Sequence, residues 1–204
     1  LLNSKITQEC LTLLNNVDYY DTMKIVWIST AVTPYSEVDP KYANAATNDC
    51  LKQFVEGLKH LGIESTLLLP EKSDCSINHV LFAGTLQNTV AVADKVDTTG
   101  TATGTILSNM VEWLWEHQDE FDLAINIGHD FLPIFMVGKL RIPLITLPNL
   151  CSTTLPLDEI IRKQALKHPS HVWFFSERQR QILGNHKNPI IHQSFRNKTN
   201  SKFQ

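Results

Sequence analysis

The chain is expected to form an α/β domain, Rossmann-like and doubly wound, with a mostly parallel sheet and helices on both faces. Three observations predict it. Short apolar runs, KIVWIS at Lys24–Ser29, FDLAINI at Phe121–Ile127 and PLITL at Pro143–Leu147, read as strands buried on both faces. Stretches of apolar residues at helical spacing lie between them. The strand–helix–strand order recurs along the chain, which is the pattern of parallel pairing with right-handed crossovers.

The elements follow in order. After the first strand, the loop TAVTPYSEVDPKYANAA carries Pro34 and Pro40, which prevent regular structure. Cys50, Leu51, Phe54, Val55, Leu58 and Leu61 then recur at helical spacing, and Gly62 supplies a left-handed stop. Ile63–Leu69 reads as the second strand, closed by Pro70, and His79–Phe82 as a short third one. The Thr- and Gly-rich stretch Asp94–Gly104 reads as a surface loop. A helix over Thr105–Gln118 is expected to turn Ile106, Leu107, Met110, Val111, Leu114 and Trp115 inward. A third helix is expected over Asp130–Lys139. A fourth starts near Pro156, where the missing N–H costs nothing. Val172–Phe175 and Pro189–His192 read as the last strands, separated by a helix that Ser176 starts and Gly184 stops.

Composition narrows the function classes. The 204 residues suffice for one α/β domain and are too few for two full Rossmann domains. Hydrophobic residues make up 43%, charged residues 19%, and the net charge is −3. That balance argues against a general nucleic-acid or membrane-surface binder, since both need clustered positive charge. Cys10, Cys50, Cys75 and Cys151 have no metal-ligand spacing and no disulfide framework, which fits a reducing cytoplasm. No run of about 18 apolar residues predicts a transmembrane helix. Residues 1–22 are expected to be an N-terminal extension, 23–195 the domain and 196–204 a polar tail.

In doubly wound folds, ligands bind beyond the carboxyl ends of the strands. That rule selects Thr30–Ala43, Asn126–Asp130, Pro148–Thr154 and Ser176–Glu177. His129 and Asp130 follow the FDLAINI strand directly. A histidine there can hydrogen-bond a sugar hydroxyl or move a proton near neutral pH, and Asp130 can either join it or cap the next helix. Asn126 is a polar strand end or a ligand contact. Thr30 ends the first strand, facing ligand or satisfying its own turn. Tyr42 and Tyr35 offer rings that can stack on a flat acceptor. Glu177 opens a helix near the same edge. No spacing of His, Cys, Asp or Glu suggests a metal site, and no G-x-G-x-x-G follows the first strand.

The segments KIVWIST, VEGLKHLGIESTLLLP, GTLQNTV, TILSNMVEW, EFDLAINIGHDFLPIF, RIPLITLPNL and VWFFSERQR carry a resemblance. Together they are similar to the N-terminal domain of GT-B retaining glycosyltransferases of the family 4 type. Within that family they resemble UDP-glucose:tetrahydrobiopterin glucosyltransferase-like proteins. The resemblance spans about residues 23–195. It implies the acceptor-binding half of a hexosyltransferase, with a UDP-sugar as donor substrate and no resident cofactor. His129 and Asp130 would be the catalytic pair, and Thr30, Tyr42, Asn126 and Glu177 the substrate contacts. Its implied partners are a small-molecule acceptor such as a pterin and a C-terminal donor domain, in cis or in trans, or a second copy in a homodimer. Without that donor domain the chain is expected to be inactive.

One departure stands out. The family's glycine-rich turn after strand one is replaced by SEVDPKYA at residues 36–43, where side chains hinder close approach and Glu37 and Asp39 repel phosphate. That departure also suits a degenerate, non-catalytic ligand- or protein-binding module.

Overall fold

Strand β1 (Lys24–Ile28) is the hub of the sheet. The structure, a computed structural model, describes residues 23–31, 33–39, 46–84, 105–128, 130–149 and 154–192. On one side β1 pairs with β2 (Glu64–Pro70), which pairs with β3 (His79–Phe82). On the other it pairs with β4 (Leu123–Asn126), which pairs with β5 (Leu144–Thr146). Every ladder is parallel, and the order is β3-β2-β1-β4-β5. The two strands expected beyond β5 are reduced to single parallel bridges, Thr146 to Val172 and Phe174 to Ile190. They continue the same direction.

The apolar runs are buried on both faces because alternate residues feed two cores. Ile25, Trp27, Leu67, Leu69, Ile125 and Ile127 meet Cys50, Leu51 and Val55 of helix α1 (Ala46–Lys59). Val26, Ile28, Leu68, Ala124 and Leu144 meet Ile106, Leu107, Met110 and Leu114 of helix α2 (Thr105–His117). Each fully buried Val, Leu, Ile or Met side chain among them contributes about 1.5–3 kcal/mol of transfer free energy. The domain is therefore doubly wound. Helix α1 stops where expected, with Gly62 at φ 76° and the amides of Gly62 and Ile63 folding back onto Lys59 and Leu58.

Two helices differ from expectation. Trp115 is 48% exposed rather than turned inward. Helix α3 covers only Phe131–Phe135 instead of running to Lys139. After Phe135 the chain tightens into shorter turns and reaches Gly138 at φ 71°. A Cβ at Gly138 would stand 2.5 Å from the His168 ring, so both backbone and packing call for glycine. Helix α4 (Leu155–Lys167) and helix α5 (Glu177–Leu183) complete the domain. Ser176 caps α5 through Oγ, which accepts from Gln179 N at 3.1 Å. Ile134, Ile161, Ala165, Val172, Phe174 and Leu183 close a third apolar cluster.

A buried amide holds this last part together. Asn188 Nδ2 donates toward the carbonyls of Ala165, Pro169 and Val172 at 3.2, 3.1 and 3.1 Å. Its Oδ1 accepts from Asn185 N at 2.8 Å. Asn188→Asp keeps the shape but sets a carboxylate against three carbonyl oxygens. The expected loss is about 2–4 kcal/mol in urea unfolding at neutral pH. Burial there raises the introduced carboxyl's pKa, so the loss should shrink as pH falls and the group is protonated.

Candidate functional site

The chain leaves β1 toward β2 on one side and later returns to place β4 on the other. Strand order therefore reverses between β1 and β4, and the crevice lies beyond their carboxyl ends. Ile28 stands opposite both Leu68 and Asn126, and Ile127 N donates to Ile28 O at 3.1 Å.

The turn after β4 is built by Asn126. Its Oδ1 accepts from Gly128 N at 3.0 Å and its Nδ2 donates to Gly128 O at 3.1 Å. The side chain is buried and its amide is spent on its own turn. A Cβ on Gly128 would lie 3.2 Å from both Asn126 Oδ1 and Ser29 O. Glycine thus lets this turn press against the end of β1. Thr30 is half-buried at that end, and Ser29 Oγ donates to the Thr30 carbonyl at 3.3 Å. Asp130 is extended and caps α3, with Oδ1 accepting from Leu132 N at 3.0 Å. The structure thus brings Thr30, Asn126 and Asp130 to one edge. His129 and Tyr42 lie outside the described residues.

Glu177 is exposed at the start of α5. Its carboxylate takes Arg180 Nη2 at 2.6 Å and Gln181 Nε2 at 3.5 Å. Its neighbour Gln179 was missed by sequence reasoning. This buried amide donates to Pro148 O at 2.5 Å and accepts from Phe175 N at 2.8 Å, fixing the strand-end loop after β5. Asn149 and Thr47 were missed as well. Asn149 Nδ2 donates to Thr47 Oγ1 at 3.0 Å, joining that loop to the first turn of α1. Their separation of 102 residues left no local signal.

The described part of the loop after β1, residues 33–39, is pinned rather than open. Tyr35 N donates to Ser73 Oγ at 2.9 Å, Asp74 N to Tyr35 O at 2.8 Å, and Glu37 N to Asp74 O at 3.3 Å. Glu37 directs its carboxylate at Ser76, whose Oγ donates at 3.0 and 3.1 Å to its two oxygens. Tyr35, expected to offer its ring to a ligand, is instead a core residue with 2% exposure. Burial, then Cys75 and the carboxylates of Glu37, Glu56 and Asp49, push its hydroxyl pKa up, so it stays protonated. Among the described residues, no group of three or more His, Cys, Asp and Glu could hold a metal ion. No helix among them is long and apolar enough to cross a membrane.

No family model matches the chain, and no curated protein matches it in sequence.

The cap at Asp130 has a measurable share in stability. Asp130→Ala should lower the unfolding free energy by about 1 kcal/mol, whereas Asp130→Ser should retain most of it. Equal midpoints for the alanine variant and the parent in urea melts would refute the capping role.

Proposed function

We propose that this chain is the acceptor-binding half of a nucleotide-sugar-dependent glycosyltransferase, moving a hexosyl group from a UDP-sugar to a small acceptor, with a pterin the first candidate. The observation that carries the reading is the reversal of strand order between β1 and β4, with Thr30 on one flank and the turn from Asn126 to Asp130 on the other. The quoted sequence segments support it independently.

Hexosyl transfer needs an acceptor hydroxyl held in line and relieved of its proton while the diphosphate leaves. In this reading the imidazole of His129 takes that proton. Asp130 spends one carboxylate oxygen on the helix cap. Thr30 offers a hydroxyl to the acceptor. Glu37 engages Ser76, which leaves the β1 loop unsuited to cradling a diphosphate. The donor is accordingly assigned to a C-terminal domain in cis or in trans.

A specific observation favours a second reading. Asn126, Asp130 and Glu177 all direct polar atoms at their own chain, as expected of a non-catalytic ligand-binding module that kept only its scaffold. Calorimetric titration with a reduced pterin tests the first reading. The chain should bind it, and His129→Ala should weaken binding by about tenfold, the worth of one good hydrogen bond. Undiminished affinity in the variant removes His129 from the site. Failure of the parent to bind any pterin favours the second reading.

A further inference from the structure

Among the described residues, half of the exposed large apolar side chains sit on two adjacent helices. Phe131 and Phe135 of α3 are each 47% exposed, and Leu155 and Leu166 of α4 are each 67% exposed. Phe131 and Phe135 are four residues apart and share a face of α3, pointing away from the sheet. Lys139 extends that stripe. Its Nζ lies 3.8 Å from the Phe135 ring centroid and donates to the Phe135 carbonyl. On α4, the buried side is made by Asp158, Ile161, Gln164 and Ala165. The opposite side shows Leu155, Glu159, Lys163, Leu166 and Lys167. The two helices pack together, and Gln164 Nε2 reaches the same Phe135 carbonyl at 3.5 Å. Lys139 is therefore a near neighbour of Lys163 and Lys167. Burial first, and then those two ammonium groups, lower its pKa.

Among the described residues, Lys139, Lys163 and Lys167 make no ion pair. Glu159, four residues before Lys163, is the acidic side chain on the α4 stripe. We propose that this outer surface of α3 and α4 docks onto an anionic lipid bilayer, with the three lysines over the headgroups and the Phe and Leu side chains entering the interface. Charge selects this occupant. A second copy of the chain in a two-fold contact would set the lysines against their own images. The lysine stems extend the apolar surface while their heads stay wet, which suits a headgroup layer. The low overall charge of the chain hides the patch, because an average over 204 residues does not report local clustering.

Co-sedimentation of the full chain with vesicles tests the proposal. Binding is expected to vesicles of phosphatidylcholine mixed with phosphatidylglycerol, with much weaker binding to phosphatidylcholine alone. Replacing all three lysines (K139Q, K163Q, K167Q) should weaken binding about 100-fold, roughly fivefold per lysine. Phe135→Ser with Leu166→Ser should weaken it further while leaving circular dichroism unchanged. Raising the salt concentration should release the unmodified protein, a control that needs no variant. The proposal is overturned by no binding to the anionic vesicles, by equal binding to both kinds, or by binding that survives the triple substitution. A dimer in analytical ultracentrifugation that Phe135→Ser and Leu166→Ser dissolve would assign the surface to a second copy and equally overturn it.

Discussion

Parallel pairing of β1 with β4 is the constraint on which the rest of the molecule depends. Nearly a hundred residues separate the two strands, yet Ile25 through Ile28 run in register with Leu123 through Asn126. The pairing is held by the backbone ladder and by burial on both faces. It joins the two sequence halves into one sheet, gives both helix layers a common floor, and forces the chain to reverse its winding at this point. The crevice follows from that reversal, since neither half could form it alone.

At the crevice the protein invests its polar groups largely in itself. Asn126 closes its own turn, Gln179 ties two loops, Asn149 reaches across to α1, and Asp130 caps α3. A strand end buried this deeply has backbone groups that water cannot satisfy, so side-chain amides and carboxylates are drawn inward first. Such an economy yields a rigid rim. Rigid rims suit the positioning of a ligand.

Much of this was legible in the sequence, for identifiable reasons. The double-sided burial of KIVWI, the glycine stop at position 62 and the serine cap at 176 are local codes, and each reads correctly. The parallel direction followed from the alternation of elements. Non-local features were illegible. Tyr35 sits in an aperiodic loop, where nothing announces that its ring belongs to the core. Trp115 lies one position past Leu114, at the edge of a helical stripe whose boundary is set by neighbouring elements. The left-handed Gly138 that follows the short α3 packs against the His168 ring, thirty residues away. Within the candidate site, the edge where Thr30, Asn126 and Asp130 meet was readable, but where each polar atom would be spent was not.

The zipper between residues 35–37 and 73–76 has a kinetic consequence. Amides of Tyr35, Glu37 and Asp74 are engaged across it, and the Tyr35 ring anchors it in the core. A segment fastened in this way cannot fray by itself. Its amide protons exchange with solvent only when β1 and β2 part, and a protease gains access to it on the same occasion. What looks like a surface connector thus shares the lifetime of the sheet beneath it.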